Sequence, residues 1–146
     1  MIMDRIEELN IPIQFYTALK KGRDYEAADG TVYKNDTLTK DSEEPKSYAY
    51  CSDTLYNPKY FEQINSATLL YHEATFLNDM LDRANQTHHT TALQAAQVAK
   101  TTNAGRLLIG HFSARYKTLN ELLDEAQSIF PATDLAIEGK TFVISG

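Results

Sequence analysis

The sequence has little of what several protein classes require. A single cysteine, Cys51, among 146 residues excludes an internal disulfide framework and any cysteine-rich zinc module, and suits a reducing compartment. No apolar stretch reaches the roughly 20 residues needed to span a bilayer, and the N-terminus lacks the charged-then-apolar order of a secretory signal. The expectation is a cytoplasmic chain with no membrane partner. Cations are also scarce: 14 Lys and Arg face 20 Asp and Glu, a net charge of −6. Such a chain does not hold nucleic acid through its overall field, so any RNA contact must be local. Neither internal repeats nor low-complexity tracts are present.

What is there suits one folded core. The hydrophobic fraction is 42% and the charged fraction 23%, ordinary for a globular domain. Residues 1–46 predict an irregular N-terminal segment. It holds a short helix over Asp4 to Leu9, a small hairpin over Asp24 to Tyr33 turning at Asp29-Gly30, and a polar surface loop from Lys34 to Pro45. Residues 47–146 predict a second region. Ser47 to Cys51, Ala67 to Tyr71 and Leu107 to Ile109 read as strands, the last two apolar enough to be covered on both faces. Thr90 to Thr102 and Thr118 to Phe130 read as helices, with one or two helical turns over Pro58 to Ile64. Leu135 to Ile137 and Thr141 to Ile144 read as a final hairpin or paired strands. Strands alternating with helices predict an α/β layered sheet.

Polar residues collect just after the strand runs: Asp53, then His72 and Glu73, then His111. In open α/β sheets, sites gather at the carboxyl ends of strands, so these groups could share one edge. His111 opens a loop holding Ser113 and Arg115. Its imidazole can bind a divalent metal through one nitrogen while the other is oriented by an acceptor. Asp53 is either a turn cap or a carboxylate bridging two cations. Glu73, at the end of a buried strand, needs a hydrogen-bond donor, and a histidine from another loop is the natural one. His89 fits that part, unless it and His88 merely begin a helix. The planar fork of Arg115 suits a phosphate or an acidic side chain.

Four strings occur in order: Tyr50-Cys51-Ser52-Asp53-Thr54, Tyr71-His72-Glu73-Ala74-Thr75-Phe76, His89-Thr90-Thr91-Ala92-Leu93-Gln94 and His111-Phe112-Ser113-Ala114-Arg115-Tyr116. Together they resemble the C-terminal half of ribonuclease Z, the tRNA 3′-processing endoribonuclease of the metallo-β-lactamase superfamily. The resemblance implies half of an αββα sandwich, a mixed β-sheet covered by helices, with 47–146 as the half-domain. It implies two zinc ions, a precursor tRNA substrate cut to leave a 3′-hydroxyl, and a homodimeric enzyme. It makes Asp53 and His111 metal ligands. Glu73 and His89 become the pair assisting the leaving group, and Ser113, Arg115 and Thr91 face the substrate. Thr90 replaces the family's usual Ser and keeps its hydroxyl.

The His-x-His-x-Asp-His metal string of that family is not among these 146 residues. The chain alone is therefore expected to bind zinc weakly or not at all, to be inactive, and to form a homo-oligomer through the exposed inner face of its half-sandwich. Two other readings compete: a non-catalytic binding or assembly module, and a phosphodiesterase of the same superfamily acting on small diesters.

Overall fold

The computed structural model describes residues 1–41 and 45–144. The chain divides into two compact units, Met1–Glu44 and Pro45–Gly146. The first holds helices α1 (Met3–Glu8), α2 (Tyr16–Lys20) and α3 (Asn35–Leu38) and an antiparallel pair, β1 (Tyr25–Glu26) and β2 (Val32–Tyr33). Ile6, Ile11, Leu19, Tyr25 and Leu38 make its small core. The hairpin turns at Gly30, whose φ of +84° is left-handed and open to glycine at no steric cost. The Thr31 amide donates to the Asp29 carboxylate at 2.9 Å, and this bond holds the Asp29 carboxyl below its usual range. The stretch expected as a loop from Lys34 contains α3. Leu38 is fully buried there, and the Asn35 amide donates to the Leu19 and Arg23 carbonyls. Residues 42–44 of that expected loop lie outside the described residues.

The second unit is built on four strands in the order β3 (Tyr48–Cys51), β4 (Leu69–Glu73), β5 (Leu107–Gly110) and β6 (Thr133–Leu135). All pairings in it are parallel, so the sheet is not mixed among the described residues as the resemblance implied. The reason lies in the connections: each of the first three strands is followed by a crossover long enough to return the chain to the same edge. Such crossovers are almost always right-handed, and the strand order advances in one direction, so they fall on one face of the sheet. There α5 (Ala92–Thr101) and α6 (Asn120–Ile129) pack Ala95, Val98, Leu122 and Ala126 against Leu70, Leu107 and Ile109. The 3-10 turn Asn78–Met80 and α4 (Leu81–Gln86) precede α5.

Within this unit the described helices α5 and α6 pack on that one face, and the opposite face is lined differently. Tyr48, Tyr50, Leu69, Tyr71 and Leu108 stand on it, with Tyr50 and Tyr71 stacked at 4.6 Å between ring centroids. The segment 136–144 borders this face and, with it, lines a groove of about 510 Å³. That segment corrects the expected final hairpin. The strand near Leu135 pairs in parallel with the open edge of β5, and the Ala136 amide extends this ladder to the Ile109 carbonyl. Residues 141–144 are in no strand. Instead, Phe142 lies beneath the Arg106 guanidinium at 5.9 Å and the Lys140 ammonium at 5.2 Å.

Candidate metal and proton-transfer site

Parallel strands bring their carboxyl ends to one edge, and the polar residues read from the sequence meet there. Asp53 follows β3, Glu73 closes β4, and His111 follows β5. The register sets Glu73 opposite Gly110 and Cys51 opposite His72, which brings the three loops alongside one another. Asp53 and His111 both have left-handed backbones, at φ +49° and +59°. Uncommon for residues other than glycine, this conformation turns each side chain sharply out of its strand. A Cβ at Gly110 would collide with the Tyr71 hydroxyl, so the residue before His111 has no room for a side chain unless Tyr71 moves.

Glu73 is the hub. Its carboxylate is fully buried and accepts four hydrogen bonds. The Thr54 amide donates at 2.7 Å, the Thr90 amide at 3.1 Å, the Thr75 hydroxyl at 2.6 Å, and His89 Nδ1 approaches at 2.9 Å. The buried carboxylate thus has its donors, and three loops are tied to it. A further bond, from the Thr90 hydroxyl to the Thr54 carbonyl, joins two of them directly. The Thr for Ser replacement at 90 therefore preserves a tether rather than a group aimed at solvent.

With Nδ1 engaged, His89 has Nε2 free. Its ring lies 5.2 Å from that of His111 between centroids, and Phe76 meets it edge-on. Asp53 Oδ1 is 3.4 Å from His111 Nε2. One atom each from Asp53, His89 and His111 lies within 4.8 Å of the others, so the three converge as the sequence suggested. A carboxylate oxygen of Asp53 and the Nε2 of His111, whose Nδ1 is braced by Thr75, are donors of the kind that suits zinc and other first-row transition metals, with His89 Nε2 beside them. On that chemistry the residues fit one divalent ion.

The remaining candidates divide. Arg115 stacks its guanidinium on the Phe76 ring at 5.0 Å and donates from Nε to Ser113 Oγ at 3.1 Å, while the Ser113 amide donates to the Thr75 carbonyl. Both border the cluster, and among the described residues no acidic partner takes Arg115. Thr91 is elsewhere. It is fully buried as the N-cap of α5, its hydroxyl accepting from the Gln94 amide in a capping box, and so it is a helix cap rather than a group reaching substrate. His72 points to the other side of β4, between the Tyr60 hydroxyl at 2.9 Å and the Glu73 carbonyl at 2.7 Å. Burial pushes its imidazole below the ordinary value, which keeps it neutral. Sequence reasoning gave no part to Thr75, Thr54 or Phe76. Thr75 was within reach, since residues two apart in an extended chain share a side and it stands two beyond Glu73.

A parallel half-layer with helices on one face and its site at the strand ends is a metallo-β-lactamase-type architecture. The metallo-β-lactamase fold protein YhfI from Bacillus subtilis superposes with a TM-score of 0.61 at 25% identity, over 68% of this chain and 40% of that one. By sequence the chain is homologous to ribonuclease Z. The enzyme of that name from Phocaeicola vulgatus is 49% identical over 135 residues, 92% of this chain and 44% of the relative. That from Bacteroides fragilis strain YCH46 is 45% identical over 138 residues, 94% and 45%. That from Cytophaga hutchinsonii reaches 57% over 100 residues, 68% and 32%. The chain thus spans about half the length, or less, of these curated relatives. No family model matches it.

Proposed function

We propose that this chain is part of a zinc-dependent endoribonuclease that removes 3′ trailers from precursor tRNA. The observation that carries the reading is the convergence of Asp53, His89 and His111 around the Glu73 hub, in a chain homologous to ribonuclease Z. Asp53 and His111 hold metal. When bound, a zinc pair would supply a water acidified far below bulk water, towards a pKa of about 7, and charge that polarises the scissile phosphate.

The chain's own residues do the rest. Glu73 holds the Nδ1 of His89, so the opposite nitrogen faces the cluster and can pass a proton to the departing 3′-oxygen. Glu73 also stabilises the imidazolium that precedes this transfer. Arg115, planar and stacked on Phe76, offers its terminal nitrogens to a substrate phosphate. RNA is gripped locally here, in keeping with the net charge of −6.

Two zinc ions require about three protein ligands each, more than Asp53 and His111 supply. The chain alone is accordingly inactive. We also read it as a homo-oligomer, because Tyr48 and Tyr50 are 51% and 63% exposed on the sheet face opposite α5 and α6. Among the described residues no helix is long and apolar enough to cross a membrane, and a cytoplasmic location suits the free Cys51 thiol.

The test is trailer removal by a full-length ribonuclease Z bearing this segment. His89→Ala should slow cleavage about 10² to 10⁴-fold, the range for general acid catalysis. An undiminished rate removes His89 from the reaction. Faster cleavage of a small chromogenic diester than of precursor tRNA would replace this substrate with the smaller class.

A further inference from the structure

The Thr75 hydroxyl has one proton and three polar neighbours. They are Glu73 Oε2 at 2.6 Å, the His111 carbonyl at 3.0 Å and His111 Nδ1 at 3.0 Å. The proton belongs to Glu73, because that contact is the shortest and its acceptor is a carboxylate, and charge-assisted bonds outcompete neutral ones. With its proton committed, the Thr75 oxygen can meet His111 Nδ1 only as an acceptor. His111 must therefore carry its proton on Nδ1. His89 is constrained in the same sense, since a carboxylate facing its Nδ1 also needs a proton there.

We propose that Thr75 is a positioning residue that fixes the His111 tautomer, so that the one buried carboxylate of Glu73 sets the free nitrogen of both imidazoles. It acts on His89 directly and on His111 through Thr75. The chain of donors runs from His111 Nδ1–H to Thr75 Oγ1 and from the Thr75 hydroxyl to Glu73 Oε2. Its result is an unprotonated Nε2 on His111: Asp53 Oδ1, 3.4 Å away and 70% exposed, makes no hydrogen bond to that nitrogen and so does not hold a proton on it. The relay also explains why Thr75 is only 6% exposed although its hydroxyl belongs to a polar site. The use of that nitrogen by a metal rests on the function proposed above, whereas the tautomer does not.

The test uses the 15N-labelled chain and long-range 1H–15N correlations of the imidazoles, at a pH where they are neutral. Wild-type His111 should show a protonated Nδ1 and a bare Nε2. Thr75→Val, which keeps the shape and removes the hydroxyl, should shift His111 towards the Nε2–H form, and Thr75→Ser should restore the wild-type pattern. His111 bearing its proton on Nε2 in the wild type, or keeping Nδ1–H in Thr75→Val, overturns the proposal. Should Thr75→Val fail to fold, the wild-type spectrum and Thr75→Ser decide. In a zinc titration of a full-length ribonuclease Z bearing this segment, followed by chelator competition, Thr75→Val should bind about 10 to 100-fold more weakly, the usual cost of losing an orienting partner, with Thr75→Ser restored. Equal affinity in all three contradicts the positioning role. A bare Nε2 that does not respond to zinc supports the tautomer and removes the metal reading instead.

Discussion

Asp53 shows how a residue can be placed for chemistry at the expense of backbone comfort. Its left-handed φ of +49° is one that Asp tolerates better than most residues, and its side chain is 70% exposed. Asp53→Gly should therefore leave stability within about 1 kcal/mol of wild type, because lost packing is slight and glycine suits the angle. In a full-length ribonuclease Z bearing this segment, zinc binding at this position should disappear. Urea unfolding beside a metal titration checks both, and a large loss of stability would make Asp53 a structural turn residue. His72 behaves oppositely: it is wholly buried and held by Tyr60 and the Glu73 carbonyl. Burial lowers its folded pKa, so the unfolded chain binds the extra proton first as the pH drops. Stability is full above the unfolded value near about 6.5 and should fall as pH declines below it. Thermal melts across that window should show the loss in the wild type and a flatter profile in His72→Gln.

The helices and strands follow from patterns of ordinary strength, and their failures are instructive. The apolar spacing of α6 and the alanine-rich run of α5 are both legible, and both pack as expected on Leu70, Leu107 and Ile109. Leu122→Ala, at a fully buried position of α6, should cost about 2 to 5 kcal/mol in denaturant unfolding. The capping box at Thr91 and Gln94 was present in the sequence but overshadowed by the motif around it. Thr91→Ala should cost about 1 kcal/mol of stability, and a loss of cleavage much larger than that loss of fold would return Thr91 to the substrate. Local pattern failed at α3, where one buried leucine outweighs a polar neighbourhood, and at the C-terminal end. Two short apolar runs beside a glycine look like a hairpin, yet β6 pairs with β5, since strand partners are chosen by tertiary context.

At the scale of the molecule, the strand ends could be guessed to share an edge from alternation alone, because parallel sheets send their carboxyl ends one way. The hub on Glu73 could not. Its four donors come from residues 54, 75, 89 and 90, and only the folded register says which amides point at it. An exposed sheet face was expected from the half-sandwich reading, while the tyrosines on it and the stacking of Tyr50 on Tyr71 were not. Everything proposed for function depends on an ion being held between Asp53 and His111. Anomalous diffraction at the zinc edge, from crystals of a full-length ribonuclease Z bearing this segment, addresses that directly. The expected result is one strong peak about 2.0 to 2.2 Å from an Asp53 carboxylate oxygen and from His111 Nε2. Zinc bound elsewhere with that pair empty would contradict it.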